Sequence, residues 1–101
     1  MDLQDPVTKF RLERLNKISK VTVYSKQNCI QCFMVKMFFD QNKVPYDVID
    51  TTGNTELIDK IKSYGYSGLP LIVLNENFKD AYVGYNPDAL DMIAKEVLKC
   101  D

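Results

Sequence analysis

Two cysteines, Cys29 and Cys32, stand three positions apart in "NCIQCF" at residues 28–33, and the chain holds only one more, Cys100. Such a pair can hold a metal, close a structural disulfide or carry electrons. A structural zinc site needs four ligands, typically two close pairs or a pair joined by histidines. With three cysteines and no histidine in 101 residues, the chain offers no such set, so no metal is expected. A permanent disulfide between residues three apart closes a very small loop and removes little entropy from the unfolded chain. Thiol–disulfide exchange is the chemistry the spacing serves best.

The elements around the pair define where it sits. "VTVYS" at 21–25 is β-branched and aromatic and reads as a strand ending just before the cysteines. From Cys29 to about Asn42 a helix is expected, with Phe33, Met34, Met37 and Phe38 as its apolar stripe, widened by Val35 and Phe39. Met34 and Met37 read as core filling. Cys29 then opens the helix, where unpaired backbone donors and the macrodipole favour a thiolate. A field worth ~1–2 kcal/mol lowers a thiol pKa by about one unit from ~8.5. Lys26, three residues upstream, adds a nearby positive charge. Cys32 lies one turn further in and is expected to be less exposed, which assigns attack to Cys29 and resolution of the mixed disulfide to Cys32.

Further along, "VPYDVID" at 44–50 is a second strand with Pro45 near its start, and "TTGNTELIDKIKSYG" is a capped helix with Leu57, Ile58 and Ile61 inward and Gly65 as its stop. "PLIVL" at 70–74 is a buried strand, and "NEN" at 75–77 turns it into "FKDAYVGY", an antiparallel partner. "NPDALDMIAKEVLKC" is the closing helix: Asn86 is the N-cap, Pro87 the first residue, and Leu90, Ile93, Ala94, Val97 and Leu98 the stripe. The order β-α-β-α-β-β-α implies an α/β domain with a small mixed sheet. Residues 1–20 form an N-terminal extension before a redox domain at 21–101. The extension has a basic excess (Lys9, Arg11, Arg14, Lys17 and Lys20 against Asp2, Asp5 and Glu13) and apolar Leu12, Leu15 and Ile18, the spacing of a short helix after Pro6.

The bulk properties exclude several classes. A chain of 101 residues makes one domain, burying roughly 65% of its unfolded surface. A net charge of -1 gives no global field for nucleic acid or a membrane surface. No apolar run approaches a membrane span, and "MDLQDPVTKFRLERL" lacks the apolar core of a secretory signal, so a cytoplasmic monomer is expected. An odd number of cysteines also argues against a secreted disulfide framework.

"VTVYSKQNCIQC", "SGLPLIV" and "VGYNPDAL", in this order, resemble the glutaredoxin group of the thioredoxin fold and most closely the NrdH-redoxins, over roughly residues 21–100. The resemblance implies a four-stranded mixed sheet flanked by three helices. It also implies a dithiol site that donates electrons to a class Ib ribonucleotide reductase and is itself restored by thioredoxin reductase. Ile30-Gln31 between the cysteines is close to the Val-Gln usual in NrdH-redoxins and unlike the Pro-Tyr of typical glutaredoxins. By the same resemblance Pro70 is the proline held cis beside the site, and Leu69 offers its backbone to an extended substrate. Gly84, Tyr85 and Asp88 fall in the motif that commonly reads Gly-Phe-Arg-Pro-Asp, with Asn86 in place of the arginine. No tightly bound cofactor is implied. Two alternatives stay open: a glutaredoxin using glutathione as co-substrate, with Lys26 and Asp88 serving it, and a module in which Cys29 of two protomers and two glutathiones hold a 2Fe-2S centre. Tyr64, Tyr66, Tyr82 and Tyr85 are candidate rim residues for a partner, and Cys100 reads as an incidental thiol.

Overall fold

In a computed structural model describing residues 18–98, the segments "VTVYS" and "LIVL" become the centre of a four-stranded sheet of order β2-β1-β3-β4. β1 (Val21–Ser25) and β3 (Leu71–Leu74) are antiparallel neighbours, buried along their whole length. β2 (Asp47–Asp50) runs parallel to β1 at one edge, and β4 (Asn77–Val83) antiparallel to β3 at the other. Strands covered on both faces read as unbroken apolar runs rather than as alternation. "LIVL" follows that rule, whereas "VTVYS" buries the polar Thr22 and Ser25 among its apolar residues.

Three helices supply the cover: α1 (Ile30–Gln41), α2 (Thr55–Ser63) and α3 (Pro87–Leu98). Val21, Val23, Ile72 and Leu74 point to one face of the sheet and form the main core with Val35 and Phe39 of α1 and Leu90, Ile93 and Ala94 of α3. Tyr24, Leu71 and Val73 point to the other face and meet Ile61, with Leu57 packed against them, from α2. The result is the three-layer thioredoxin-like arrangement. Ile18 joins the main core, and the segment carrying it is tied down by Asn75, whose Oδ1 accepts from Ser19 N (2.8 Å), Ser19 Oγ (3.0 Å) and Lys20 N (3.2 Å).

Four expectations need correction or placement. The inward face of α1 is Cys32, Val35 and Phe39, whereas Phe33, Met34 and Met37 are exposed, so the two methionines do not fill the core. The second strand begins at Asp47, which leaves Pro45 outside it, and the third begins at Leu71, one residue after Pro70. Of the tyrosines, Tyr82 and Tyr85 pack against the main core, and Tyr64 stacks on Phe78 with ring centroids 5.2 Å apart. The expected helix before Ile18 and the thiol of Cys100 lie outside the described residues.

The β3–β4 connection is a two-residue hairpin loop with Asn75 at φ 56° and Glu76 at φ 58°, the left-handed pair of a type I′ turn. Asn tolerates that region because its side chain bonds locally. Asn75→Ala loses the tolerance together with the three bonds to Ser19 and Lys20, an expected cost of about 1–2 kcal/mol in urea denaturation.

The same turn carries an exposed ion pair, Lys20 with Glu76, and Asp47 lies 3.7 Å from Lys20 Nζ. Hydrogen bonding and then charge from Lys20 hold the Glu76 carboxyl below its usual range. The reciprocal interactions, with a smaller contribution from Asp47, raise the Lys20 ammonium above its own. A depressed carboxylate stabilises the fold above its unfolded pKa and loses that contribution as pH falls through the folded value. A raised lysine stabilises below its unfolded pKa and loses that contribution as pH rises through the folded one. The pair therefore acts fully between about pH 5 and pH 10. Lys20→Met is expected to weaken the fall in melting temperature between pH 6 and pH 3, an effect that high salt erases in the wild type.

Candidate active site

The loop 26–29 between β1 and α1 is held from below by the β2–α2 loop. Thr51 donates both its N–H (2.8 Å) and its Oγ1 hydroxyl (3.0 Å) to the carbonyl of Ser25, and Gln27 N–H donates to Thr52 Oγ1 at 2.9 Å. Asn28 then turns through φ 57°, and Cys29 enters extended at φ -120°, ψ 106°. α1 starts at Ile30, so Cys29 is its N-cap, and Cys29 Sγ accepts from Cys32 N–H at 3.2 Å. The sulfur takes the place of the Ser, Thr or Asp oxygen usual at a cap. No acidic side chain stands in the first turn to offset the positive helix end.

Cys29 and Cys32 form a disulfide with Cα atoms 5.3 Å apart, within the usual ~4.4–6.8 Å range. Their surroundings differ: Cys29 is half-buried at the helix tip, while Cys32 is 1% exposed. Among the described residues, no group of three or more His, Cys, Asp or Glu side chains converges as a metal site.

The Leu69-Pro70 bond is cis, and Pro70 is buried. Pro70 O accepts from Gly84 N–H at 2.8 Å, which fastens the end of β4 to the start of β3. Gln31, from between the cysteines, reaches the same loop: its Oε1 accepts from Tyr85 N–H in a long bond of 3.4 Å. Gly84 sits at φ 82°, and a Cβ there would lie 3.4 Å from that oxygen. Glycine is thus favoured by the backbone conformation, while a Cβ would meet Gln31 only at ordinary contact distance. The cysteine helix, the cis proline and the β4–α3 loop form one connected frame.

A cavity of about 400 Å³ adjoins the loop before Cys29. It is lined by Lys26, Gln27 and Asn28, by Thr51 and Thr52, by Ile58, Ile61 and Lys62, and by Tyr66, Ser67, Gly68 and Leu69. The structure thus brings Lys26 and Leu69 to one cavity and joins Pro70, Gly84 and Tyr85 to the cysteine helix. Asp88 follows the same loop, three residues after Tyr85. It lies exposed in the first turn of α3, its N–H donating to the N-cap Asn86 Oδ1 at 3.1 Å, and it does not line the cavity. The roles of Gln31, Thr52 and Lys62 in this frame depend on contacts between distant segments, and only the position of Gln31 between the cysteines hinted at its part.

A dithiol at the tip of a helix, in a β-α-β unit of a four-stranded mixed sheet with a cis proline before β3, defines a thiol–disulfide oxidoreductase of the thioredoxin fold. The comparisons narrow this class. The glutaredoxin family model matches residues 21–79. Over 74 residues the chain is 35% identical to the glutaredoxin-like protein NrdH of Lactococcus lactis subsp. lactis (strain IL1403), covering 73% of this chain and 99% of that protein. It is 28% identical over 71 residues to the Gene 56 protein of Mycobacterium phage D29, covering 70% and 78%. The solved NrdH-redoxin of Escherichia coli, described by its thioredoxin-like activity profile, superposes with a TM-score of 0.63 at 19% identity, covering 71% of this chain and 91% of that one, a likeness of fold. The chain belongs to the glutaredoxin family, among its glutaredoxin-like NrdH-redoxins.

Proposed function

We propose that the chain is a dithiol electron carrier that reduces the disulfide of a class Ib ribonucleotide reductase and is itself re-reduced by thioredoxin reductase. The observation that carries the cysteine roles is their asymmetry: a half-buried Cys29 Sγ at the helix cap, accepting an N–H, and a Cys32 that is 1% exposed. The donated N–H and the positive helix end favour a thiolate on Cys29. That thiolate attacks one sulfur of the target disulfide and expels the other as a thiolate. Cys32, deprotonated, then attacks Cys29 Sγ and expels the second target sulfur. The target gains two electrons and two protons, and the Cys29–Cys32 disulfide forms. NADPH, through thioredoxin reductase, returns the two electrons. Around this exchange, Leu69, Gly84 and Tyr85, braced by the buried cis Pro70, form the surface against which a target segment lies, and the redox domain takes in residues 21–101, with Ile18 at the end of the 1–20 extension packed into its core.

The choice of target rests on the NrdH relatives and on Ile30-Gln31 between the cysteines. Reconstitution with NADPH, thioredoxin reductase and a class Ib ribonucleotide reductase tests it. Deoxynucleotide formation should depend on the added chain, and a rate no higher than without it would contradict the reading.

The cavity supports a second reading, glutathione as co-substrate. Lys26 and Lys62 line it, cations suited to the two carboxylates of that tripeptide. Glutathione bound there would reach the loop that carries Cys29. Saturable reduction by glutathione that is weakened in Lys62→Gln would favour this reading. Rates indifferent to Lys62 would count against it. The chain is placed in the cytoplasm on this function; among the described residues, no helix is long and apolar enough to cross a membrane.

A further inference from the structure

Helix α1 is apolar on two opposite sides. Cys32, Val35 and Phe39 face the core. Ile30, Phe33, Met34 and Met37 recur at i, i+3, i+4 and i+7, a single stripe, and are 73%, 58%, 37% and 37% exposed. At about 100° per residue, the centre of this stripe lies roughly opposite the core face. The outer faces of the other helices carry charge instead: Asp59 and Lys60 on α2, Asp91 and Lys95 on α3. Single exposed apolar residues are ordinary on a protein surface, but four joined along one helix face make a patch.

We propose that this stripe docks a disulfide-bearing partner protein, one that presents an apolar, weakly charged surface beside its own cystine. Continuity with the reacting pair is the first argument. Ile30 follows Cys29 directly, and disulfide exchange demands that a partner sulfur touch the pair, so a reacting protein covers the start of α1 and meets the stripe next. From Ile30 to Met37 the helix rises about 10 Å, which extends the contact well past the sulfurs. Chemistry is the second argument. The stripe holds no charge, and its two methionines are flexible enough to fit more than one apolar surface. Size is the third. Four side chains fall short of the ~800 Å² per partner of a stable complex and suit a transient redox encounter, whose carrier must leave after exchange. A small disulfide reaches the sulfurs and Ile30 at most, because the rest of the stripe runs on along the helix for about 10 Å.

The inference rests on the reading that the electron acceptor or donor is a protein. The test is the double variant Phe33→Gln/Met37→Gln, compared with wild type in three assays. With a class Ib ribonucleotide reductase and with thioredoxin reductase, KM for the variant is expected to rise about fivefold to tenfold with kcat little changed. Reduction of 2-hydroxyethyl disulfide by the pre-reduced variant is expected to stay within about twofold of wild type. Unchanged KM for both proteins overturns the inference, as does an equal loss on the small disulfide, which would mark a structural effect. A wild-type dimer that the variant dissociates in sedimentation also overturns it, since the stripe would then serve a second copy. If wild type is inert only towards ribonucleotide reductase, the function reading fails and the KM for thioredoxin reductase still decides the stripe. Inertness towards both proteins defeats both readings.

Discussion

Cys32→Ser is expected to stop turnover while leaving a mixed disulfide between Cys29 and the target that accumulates nearly one-to-one and survives non-reducing electrophoresis. A serine hydroxyl is essentially un-ionised near neutral pH, so the second displacement has no nucleophile, and the first is unaffected. Cys29→Ser is expected to give neither turnover nor adduct. The loss should be chemical, because a serine oxygen at the N-cap accepts from Cys32 N–H at least as well as the sulfur does, and Ser is among the preferred caps. Melting temperature in Cys29→Ser is therefore expected to match that of the reduced wild type while activity vanishes. Efficient trapping through Cys32 in that variant would reverse the assigned roles. Such an outcome would also require the 1% exposed sulfur to become accessible.

The largest effect on stability is expected at Phe39. Its side chain is fully buried between α1 and the sheet, in ring contact with Phe38 at 6.0 Å and Tyr46 at 5.6 Å. Phe39→Ala should cost about 3–5 kcal/mol, a large part of the ~5–15 kcal/mol that holds an ordinary domain folded. Phe33→Ala, six residues earlier on the same helix, should stay within about 0.5 kcal/mol because its ring is 58% exposed. Urea denaturation of the two variants separates the faces of α1. A larger loss at Phe33 than at Phe39 would mean that the helix packs the other way round.

That pair of phenylalanines also shows what the sequence could and could not disclose. Periodicity reveals which side of a helix is buried only when the opposite side is polar. On α3 it is, with Asp88, Asp91 and Lys95 outward, and Leu90, Ile93 and Ala94 are buried as the spacing predicts. On α1 both sides are apolar, so the spacing fitted the outer stripe as well as the inner one and pointed to Met34 and Met37 for the core. Local signals were more faithful. The Asn86 carbonyl side-chain oxygen caps α3 through Asp88 and Ala89, Asn54 caps α2 through Leu57, and Gly65 ends α2 at φ 93°. Each depends on residues a few positions apart.

The site divides along the same line. That Cys29 opens a helix after a strand is a local statement, legible from "VTVYSKQNCIQC". The cis geometry of Leu69-Pro70 came from the resemblance and not from the residues. The bonds from Gly84 N–H to Pro70 O and from Tyr85 N–H to Gln31 Oε1 join segments far apart in the chain, and no periodicity encodes them. Nor does any motif announce the cavity, whose walls come from four separate stretches. Asp88, whose motif position suggested a ligand contact, stands exposed at the start of α3 and outside the lining of the cavity.

The central claim is that the Cys29–Cys32 disulfide is reduced by thioredoxin reductase to serve a protein acceptor. Its most direct test is to reduce the oxidised chain in parallel with NADPH and thioredoxin reductase, and with NADPH, glutathione and glutathione reductase, following NADPH consumption. Fast reduction by the first system and slow reduction by the second is the predicted result. Fast reduction by glutathione alone would contradict it, and would make the cavity beside Lys26 and Lys62, rather than Ile30-Gln31, the feature that decides the reductant.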